Sequence, residues 1–213
     1  MESTEYEKKY EVTAEQGGGL RQLLGSPSSA KRQVDRYFDT RDALLFRRGI
    51  FCRIRGTRFQ IKFNLQDVLS GASSGHTECT EVDLPLVFGE AEHAQLEKTL
   101  HALSIEFASG MTSPFQLFDH ASWVESVVVD KHREVYGFGD YCISLDDVVG
   151  LGLYLEVEAA SAAPKANDQA AQLFRFIDEA GLTYVDTGYN ALYWRKHDWG
   201  TYMQSPYVMK RDK

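Results

Sequence analysis

The chain of 213 residues has no apolar stretch long enough to cross a membrane as a helix. Such a helix needs ~18 or more consecutive apolar residues, and no run in this sequence approaches that length. The first residues, MESTEYEKKYE, also lack the apolar segment of a secretory signal peptide. We therefore expect a cytoplasmic protein that has no membrane partner.

Cysteine and positive charge are both scarce. Only three cysteines occur, Cys52, Cys79 and Cys142, and neither a CxxC pair nor a zinc-ligand spacing is present. We expect them to be free thiols in a reducing compartment. The 23 lysines and arginines are outnumbered by 31 aspartates and glutamates, which leaves a net charge of −8. This balance argues against a nucleic-acid partner, because binding a polyanion requires a basic surface.

What the sequence contains instead is charged residues two positions apart within segments that resemble β-strands. Glu5, Glu7 and Lys9 have this spacing in the first such segment. Because successive side chains of a strand point to opposite faces, residues two positions apart lie on the same face. The spacing recurs in the acidic pairs Glu81/Asp83 and Glu156/Glu158 and in the basic pairs Arg53/Arg55 and Lys131/Arg133. The pattern predicts strands whose charged faces line a shared interior.

A dry interior lined by so many charges is unstable. Burying an ion without compensation costs several kcal/mol, so the interior must hold water or a ligand. A polyphosphate with a divalent metal satisfies both kinds of charge, because Arg and Lys bind phosphate oxygens while carboxylates hold Mg²⁺ or Mn²⁺. Taken one pair at a time, a solvated sheet face with cross-strand ion pairs remains an alternative.

The sequence as a whole predicts one domain over 1–196 and a loosely attached C-terminal tail over 197–213. Apolar residues at helical spacing predict amphipathic helices over 90–103 and 168–180, and a third short helix is expected within 184–194. A helix over 14–24 would be weakened by its run of three glycines. We expect a mobile loop over 66–75 and an irregular segment over 109–122.

The charged strands carry motifs that resemble those of the CYTH family. This family comprises the triphosphate tunnel metalloenzymes, which include thiamine triphosphatases, inorganic triphosphatases and class IV adenylyl cyclases. Glu5-x-Glu7-x-Lys9 resembles the ExExK signature of the family. The motifs that follow in family order are Asp35-Arg36-Tyr37-Phe38-Asp39-Thr40, Phe51-Cys52-Arg53-Ile54-Arg55, Gln60-Ile61-Lys62, Lys131-His132-Arg133, the segment Ser144 to Gly152, and Glu156-Val157-Glu158. The similarity runs from Glu5 to about Tyr189.

The resemblance implies an α+β fold with a closed antiparallel β-barrel of about eight strands that forms a tunnel, with helices packed around the outside. It also implies a role for each charged group. The metal ligands would be Glu5, Glu7, Asp146, Glu156 and Glu158. The phosphate-binding residues would be Lys9, Arg53, Arg55, Lys62, Lys131 and Arg133. The catalytic residues would be Glu5, Glu7, Lys9 and Lys62.

By this resemblance we expect a metal-dependent phosphohydrolase that uses Mg²⁺ or Mn²⁺ on an organic or inorganic triphosphate, such as thiamine triphosphate, tripolyphosphate or ATP. A class IV adenylyl cyclase is the first alternative, but no segment resembles a base-specific pocket. The second is a non-catalytic polyphosphate or nucleotide binder. It is suggested by Thr187-Gly188-Tyr189, which stands where many members have Lys-Ser-Tyr and so lacks the lysine. A homodimer is left open.

Overall fold

The computed structural model describes residues 7–71, 79–159 and 168–213, and residues 168–170 only by their backbone. Glu5 therefore lies outside the described residues. The strands are β1 Glu7–Val12, β2 Ser29–Asp39, β3 Ile50–Arg55, β4 Arg58–Phe63, β5 Thr80–Pro85, β6 Val124–Phe138, β7 Tyr141–Val148, β8 Gly152–Ala159 and β9 Thr183–Val185. The α-helices are α1 Ala14–Leu24, α2 Leu44–Arg47, α3 Leu65–Ser70, α4 Glu90–Ala102, α5 Pro114–His120, α6 Asp168–Glu179, α7 Tyr189–His197 and α8 Trp199–Tyr202. In this part of the chain, no helix combines the length and the apolar character that crossing a membrane requires.

The nine described strands form one sheet in the order β5-β4-β3-β2-β6-β7-β8-β1-β9. Every pair whose register is described is antiparallel. The predicted α+β class with an antiparallel sheet is confirmed, with nine strands in place of about eight. Closure of the sheet into a tunnel stays a prediction.

Tertiary contacts divide the described chain into two units. Unit 1 comprises 34–129 and 189–208, and unit 2 comprises 7–33, 130–188 and 209–213. Each unit has a hydrophobic cluster of its own. The strands β2 and β6 contribute residues to both units, since each is long enough to pass the boundary.

In unit 1, strand β3 shows the predicted division between an apolar and a charged face. Its residues alternate between buried and half-buried, with Ile50, Cys52 and Ile54 buried and the two arginines between and after them half-buried. The apolar face of β3 belongs to one cluster with Leu96 and Leu100 of α4. Because that cluster excludes water from one side of the strand, Arg53 and Arg55 point to the other side.

Asp39, in the Asp-Thr pair that ends β2, holds the start of helix α2. Its Oδ1 accepts hydrogen bonds from the backbone N–H groups of Thr40 at 2.7 Å and Leu45 at 2.8 Å, and its Oδ2 accepts one from Phe46 at 2.9 Å. Burial raises the pKa of Asp39 against the opposing effect of these N–H donors. The carboxylate satisfies helix donors that would otherwise be buried without partners.

In unit 2, helix α1 is complete despite its glycines, because the glycines allow close packing. A methyl group at Gly17 would overlap Leu153 Cδ2, and one at Gly19 would lie 2.9 Å from Phe176 Cζ. The helix also has a capping box, in which Thr13 and Gln16 each accept the other's backbone N–H. The expected weakening is therefore offset by packing and capping.

The glycines of α1 give a matched stability test. Gly17→Ala is expected to lower the free energy of unfolding by about 1–3 kcal/mol, because Leu153 must move to accommodate the methyl group. Gly18→Ala is the control, since no atom lies within 4 Å of its added Cβ, and it is expected to raise stability by about 0.5–1 kcal/mol. Urea denaturation followed by circular dichroism measures both. Equal shifts in the two variants would contradict the close packing of α1.

Two segments that were expected to be loops or irregular contain helices. The expected loop over 66–75 lies partly in helix α3, which begins after Asn64 because the Asn64 side chain accepts the N–H groups of Gln66 and Asp67. Residues 72–75 of the expected loop lie outside the described residues. The expected irregular segment over 109–122 contains helix α5, with Pro114 at the start. Both helices are too short to show a clear apolar period, so their caps were the available signal.

The prediction of a loosely attached tail is wrong. Tyr202 is fully buried and Tyr207 is 2% exposed, and both belong to a hydrophobic cluster of unit 1 that includes Phe46. Asp198 caps α8 by accepting the N–H of Thr201 at 3.0 Å. The aromatic residues after position 197 form part of the core because they can bury large apolar areas. The division of the chain at 196 stays a prediction.

Candidate functional site

Unit 2 contains a network of six charges, four of them buried, carried by four neighbouring strands. We call it the charge network, and its members are Glu7, Lys9, Lys131, Arg133, Asp146 and Glu156. The antiparallel register places Lys9 of β1 opposite Glu156 of β8, and Arg133 of β6 opposite Asp146 of β7. Residues far apart in sequence therefore meet on one face of the sheet.

Asp146 is the most deeply buried member of the network. Its carboxylate is fully buried and accepts hydrogen bonds from Lys131 Nζ at 2.7 Å, Arg133 Nε at 2.7 Å and Arg133 Nη2 at 2.5 Å. Burial lowers the pKa of Lys131, and neighbouring Arg133 lowers it further, while Glu156 and Asp146 act in the opposite direction. The two cations compensate the negative charge of this buried carboxylate, whose burial alone would cost several kcal/mol.

Lys9 lies between two carboxylates of the network. Its Nζ is 3.2 Å from Glu156 Oε1 and 3.4 Å from Glu7 Oε1, and it donates a hydrogen bond of 3.4 Å to the backbone oxygen of Thr187. Burial opposes the charged form, but Glu7 and Glu156 outweigh it and raise the pKa of Lys9. Lys9 therefore remains a cation even though it is buried.

Glu156 is shared between two cations. It faces Lys9, and it also accepts a hydrogen bond from Arg133 Nη2. Burial would raise its pKa, but Lys9, Arg133 and Lys131 outweigh burial and lower it. The carboxylate is thus ionised and surrounded by cations, which is the arrangement that a phosphate group could enter by taking over some of the cationic contacts.

Unit 1 contains a second set of charges around the two arginines of β3. We call it the arginine cluster, and its members are Asp35, Tyr37, Arg53, Arg55, Gln60 and Glu81. Asp35 and Tyr37 of β2 lie opposite Arg55 and Arg53 in the antiparallel register, and Gln60 of β4 lies opposite Arg53 on the other side. Arg53 is therefore held from both neighbouring strands, and Arg55 is held from β2.

Arg53 donates to groups on both sides of its strand. Its Nε donates a hydrogen bond of 2.8 Å to Gln60 Oε1, and its Nη1 donates one of 3.3 Å to the Tyr37 hydroxyl. Gln60 Nε2 in turn donates to Glu81 Oε1 at 2.9 Å. Burial acts to lower the pKa of Arg53, but Tyr37, Asp35 and Glu81 outweigh it and raise it. The guanidinium is fixed in orientation and permanently charged.

A comparison with models of protein families shows the family of the chain that carries these charges. The model described as the CYTH domain matches residues 3–187, which is most of the chain. The chain belongs to the CYTH family. Members of the CYTH family act on triphosphates as triphosphatases or cyclases, and they typically depend on a divalent metal.

Two solved structures that are similar to this CYTH chain are distant from it in sequence. The PH1819 protein of Pyrococcus horikoshii OT3 is 18% identical, covers 91% of this chain and 99% of its own, and has a TM-score of 0.56. An adenylate cyclase candidate from Bacillus halodurans is 19% identical, covers 88% and 95%, and has a TM-score of 0.52. No sequence among the curated proteins matches the chain. At these identities the likeness shows the fold alone.

The structure brings together several of the residues that the CYTH motifs predict. Within unit 2 it joins Glu7, Lys9, Lys131, Arg133, Asp146 and Glu156, and Glu158 lies half-buried opposite Glu7 in the register. Within unit 1 it places Arg53 and Arg55 in the arginine cluster, and Lys62 lies half-buried opposite Glu81. The role of each predicted site residue stays a prediction, as does that of Glu5, whose position is not described.

Four members of the arginine cluster were not among the predicted site residues. They are Asp35, Tyr37, Gln60 and Glu81, and each contacts Arg53 or Arg55 directly. A signal was present in the sequence, because Asp35 and Tyr37 have the same two-residue spacing as the charged pairs. Only the pairing of β2 with β3 shows which arginines they contact.

The carboxylates of the charge network have the ligand chemistry that Mg²⁺ and Mn²⁺ prefer, since both ions favour oxygen donors. Among the residues described, no three His, Cys, Asp or Glu side chains are grouped closely enough to hold an ion by themselves. Mg²⁺ is commonly held by one or two carboxylates together with water and substrate phosphates. Glu7, Asp146 and Glu156 fit that mode of binding, in which the ligand completes the coordination.

Proposed function

We propose that this CYTH protein is a metal-dependent phosphohydrolase that acts on an organic or inorganic triphosphate. The observation that carries the proposal is the charge network of unit 2, in which three cations and three carboxylates meet on strands that bear the family motifs. Four of the six charges are buried, and stability alone gives little reason for this, because replacing a buried ion pair with apolar residues is often neutral or stabilising.

The cations of the network would bind phosphate oxygens. Lys9 and Lys131 supply compact charges, and Arg133 presents a planar guanidinium suited to two oxygens at once. Glu7, Asp146 and Glu156, with Glu5 and Glu158, would hold Mg²⁺ or Mn²⁺. When bound, the ion would neutralise phosphate charge and lower the pKa of an attacking water. The cations also stabilise the charge that develops on the transferring phosphoryl group.

The arginine cluster would contribute binding rather than proton transfer. A guanidinium group is a hydrogen-bond donor with no acceptor atom, so Arg53 and Arg55 would bind phosphate oxygens and would not act as bases. Lys62 lies on β4, which pairs with β3, and it belongs to another of the motifs that resemble those of the CYTH family. Each of these cations would lower the free energy of a bound phosphate chain through charge-assisted hydrogen bonds.

A product analysis tests the proposed function. The protein is incubated with Mg²⁺ or Mn²⁺ and with ATP, thiamine triphosphate or tripolyphosphate in separate reactions, and the products are separated by anion-exchange chromatography. Inorganic phosphate is expected from at least one substrate, and chelation of the metal with EDTA is expected to stop its release. Cyclic AMP with pyrophosphate would instead show a cyclase, and binding without turnover would show a non-catalytic binder.

The cytoplasmic location stays a prediction.

A further inference from the structure

Asp35 is an unusually placed carboxylate in unit 1. It is 1% exposed, and it accepts two hydrogen bonds of 2.6 Å from Arg55, one from Nε and one from Nη2. Its Oδ2 also lies 3.7 Å from Arg53 Nη1. One buried carboxylate therefore contacts both of the arginines that the family motif provides.

The contact with Arg55 determines the plane of its guanidinium group. Two parallel N–H···O bonds from one edge of a guanidinium to both oxygens of a carboxylate leave little rotational freedom. Tyr37, two residues further along the same strand, fixes Arg53 through its hydroxyl. Strand β2 thus orients both arginines, because Asp35 and Tyr37 lie opposite Arg55 and Arg53 in the register.

Stability alone is a weak reason for this arrangement. Placing a carboxylate in the interior costs several kcal/mol, and its attraction to an arginine offsets this cost only in part or about fully. A contrasting pair occurs in unit 2, where Asp130 accepts two hydrogen bonds from Arg32 at 2.8 and 2.7 Å. There the arginine side chain is 73% exposed, so the contact is an ordinary surface pair. The contact between Asp35 and Arg55 differs because its carboxylate is buried and its arginine is one of the proposed phosphate-binding residues.

We propose that Asp35 is a positioning residue that holds Arg55, and with it Arg53, in the orientation that binds the phosphate chain. The inference rests on the proposed function and adds a residue to it. Asp35 does not contact the ligand in this scheme, but acts through the two arginines. Loss of its charge should therefore weaken ligand binding much more than it slows the chemical step.

The test compares Asp35→Asn with Asp130→Asn in steady-state kinetics on tripolyphosphate with Mg²⁺. Asp35→Asn is expected to raise KM about tenfold while kcat stays within about threefold of wild type, because the amide retains the side-chain shape but not the charge. Asp130→Asn removes the same chemical group from a surface pair and is expected to leave KM unchanged within about twofold. Isothermal titration calorimetry with methylenediphosphonate and Mg²⁺ measures binding without turnover.

A double variant separates positioning from a general structural effect. Because Asp35 acts mainly through Arg55 and only by a longer contact on Arg53, adding Asp35→Asn to Arg55→Ala should raise KM by a much smaller factor than Asp35→Asn does in the wild type. Additive increases in KM, or an unchanged KM in a folded Asp35→Asn protein, would overturn the positioning role while leaving the triphosphatase proposal intact. If the wild type neither turns over nor binds any polyphosphate, the proposed function fails, and the positioning role fails with it.

A second substitution keeps the test decisive if Asp35→Asn does not fold. Asp35→Glu preserves the charge but moves the carboxylate by one methylene group, which disturbs the two-bond contact with Arg55. Its KM is expected to lie between those of wild type and Arg55→Ala. A wild-type KM in Asp35→Glu, together with normal folding by circular dichroism, would also count against the positioning role.

Discussion

Asp146→Ala is expected to lower the free energy of unfolding by about 3–5 kcal/mol, because it leaves Lys131 and Arg133 without the carboxylate that compensates them. Asp146 itself is fully buried, so solvent cannot take its place without local rearrangement. Urea denaturation monitored by tryptophan fluorescence measures the change. The neighbouring Asp147 is exposed and provides the control, since Asp147→Ala is expected to change stability by less than about 0.5 kcal/mol.

A double-mutant cycle identifies the cause of the Asp146 effect. Lys131→Met removes one of the cations while keeping a side chain of similar length. The double variant Asp146→Ala/Lys131→Met is expected to be more stable than the sum of the single changes predicts, because it no longer buries an uncompensated lysine. If the two single effects simply add, the hydrogen bond of 2.7 Å between these residues contributes nothing measurable to folding.

Glu7→Gln is expected to reduce the metal-dependent kcat on triphosphate at least about 100-fold, which raises the activation barrier by about 2.7 kcal/mol or more. The proposal places Glu7 among the metal ligands, and glutamine offers a weaker, uncharged oxygen. Glu7 is partly exposed and forms an ion pair with Lys9, so the fold should tolerate the change. Phosphate release is measured at saturating Mg²⁺ and again at saturating Mn²⁺.

Glu11 supplies the matched control for Glu7. It lies four residues further along β1, and its carboxylate pairs with Arg211 at 2.7 Å. Glu11→Gln is expected to keep kcat within about twofold of wild type, because this surface pair lies outside the charge network. Full activity in a folded Glu7→Gln protein would remove Glu7 from the set of metal ligands, and equal losses in the two variants would point to a general effect of charge on β1.

The charged strand faces were predictable because strand geometry has a fixed period. Once residues 50–55 are recognised as a strand, Cys52 and Ile54 must face away from Arg53 and Arg55, and the structure confirms this alternation. The order of the motifs along the chain indicated the CYTH family, and the family resemblance in turn predicted the antiparallel sheet. Both inferences depend on local sequence alone.

What could not be predicted depends on contacts between distant segments. Gly17 disfavours a helix by its intrinsic propensity, and only the position of Leu153 shows why a glycine is needed there. Asp35 likewise has no signature that distinguishes it from a surface acid until β2 is paired with β3. The aromatic residues near the C-terminus suggested a tail because they lack a regular period, yet Tyr202 and Tyr207 are core residues.

The contact between Gly49 and Tyr207 limits how the two positions can vary in evolution. Gly49 has φ of 75°, and a methyl group added to it would lie 2.9 Å from the Tyr207 ring. A larger residue at position 49 therefore becomes acceptable only when the ring at position 207 is replaced by a smaller side chain and the backbone strain is tolerated. Among homologous sequences, these two positions should show correlated substitution, with glycine retained wherever the aromatic ring is present.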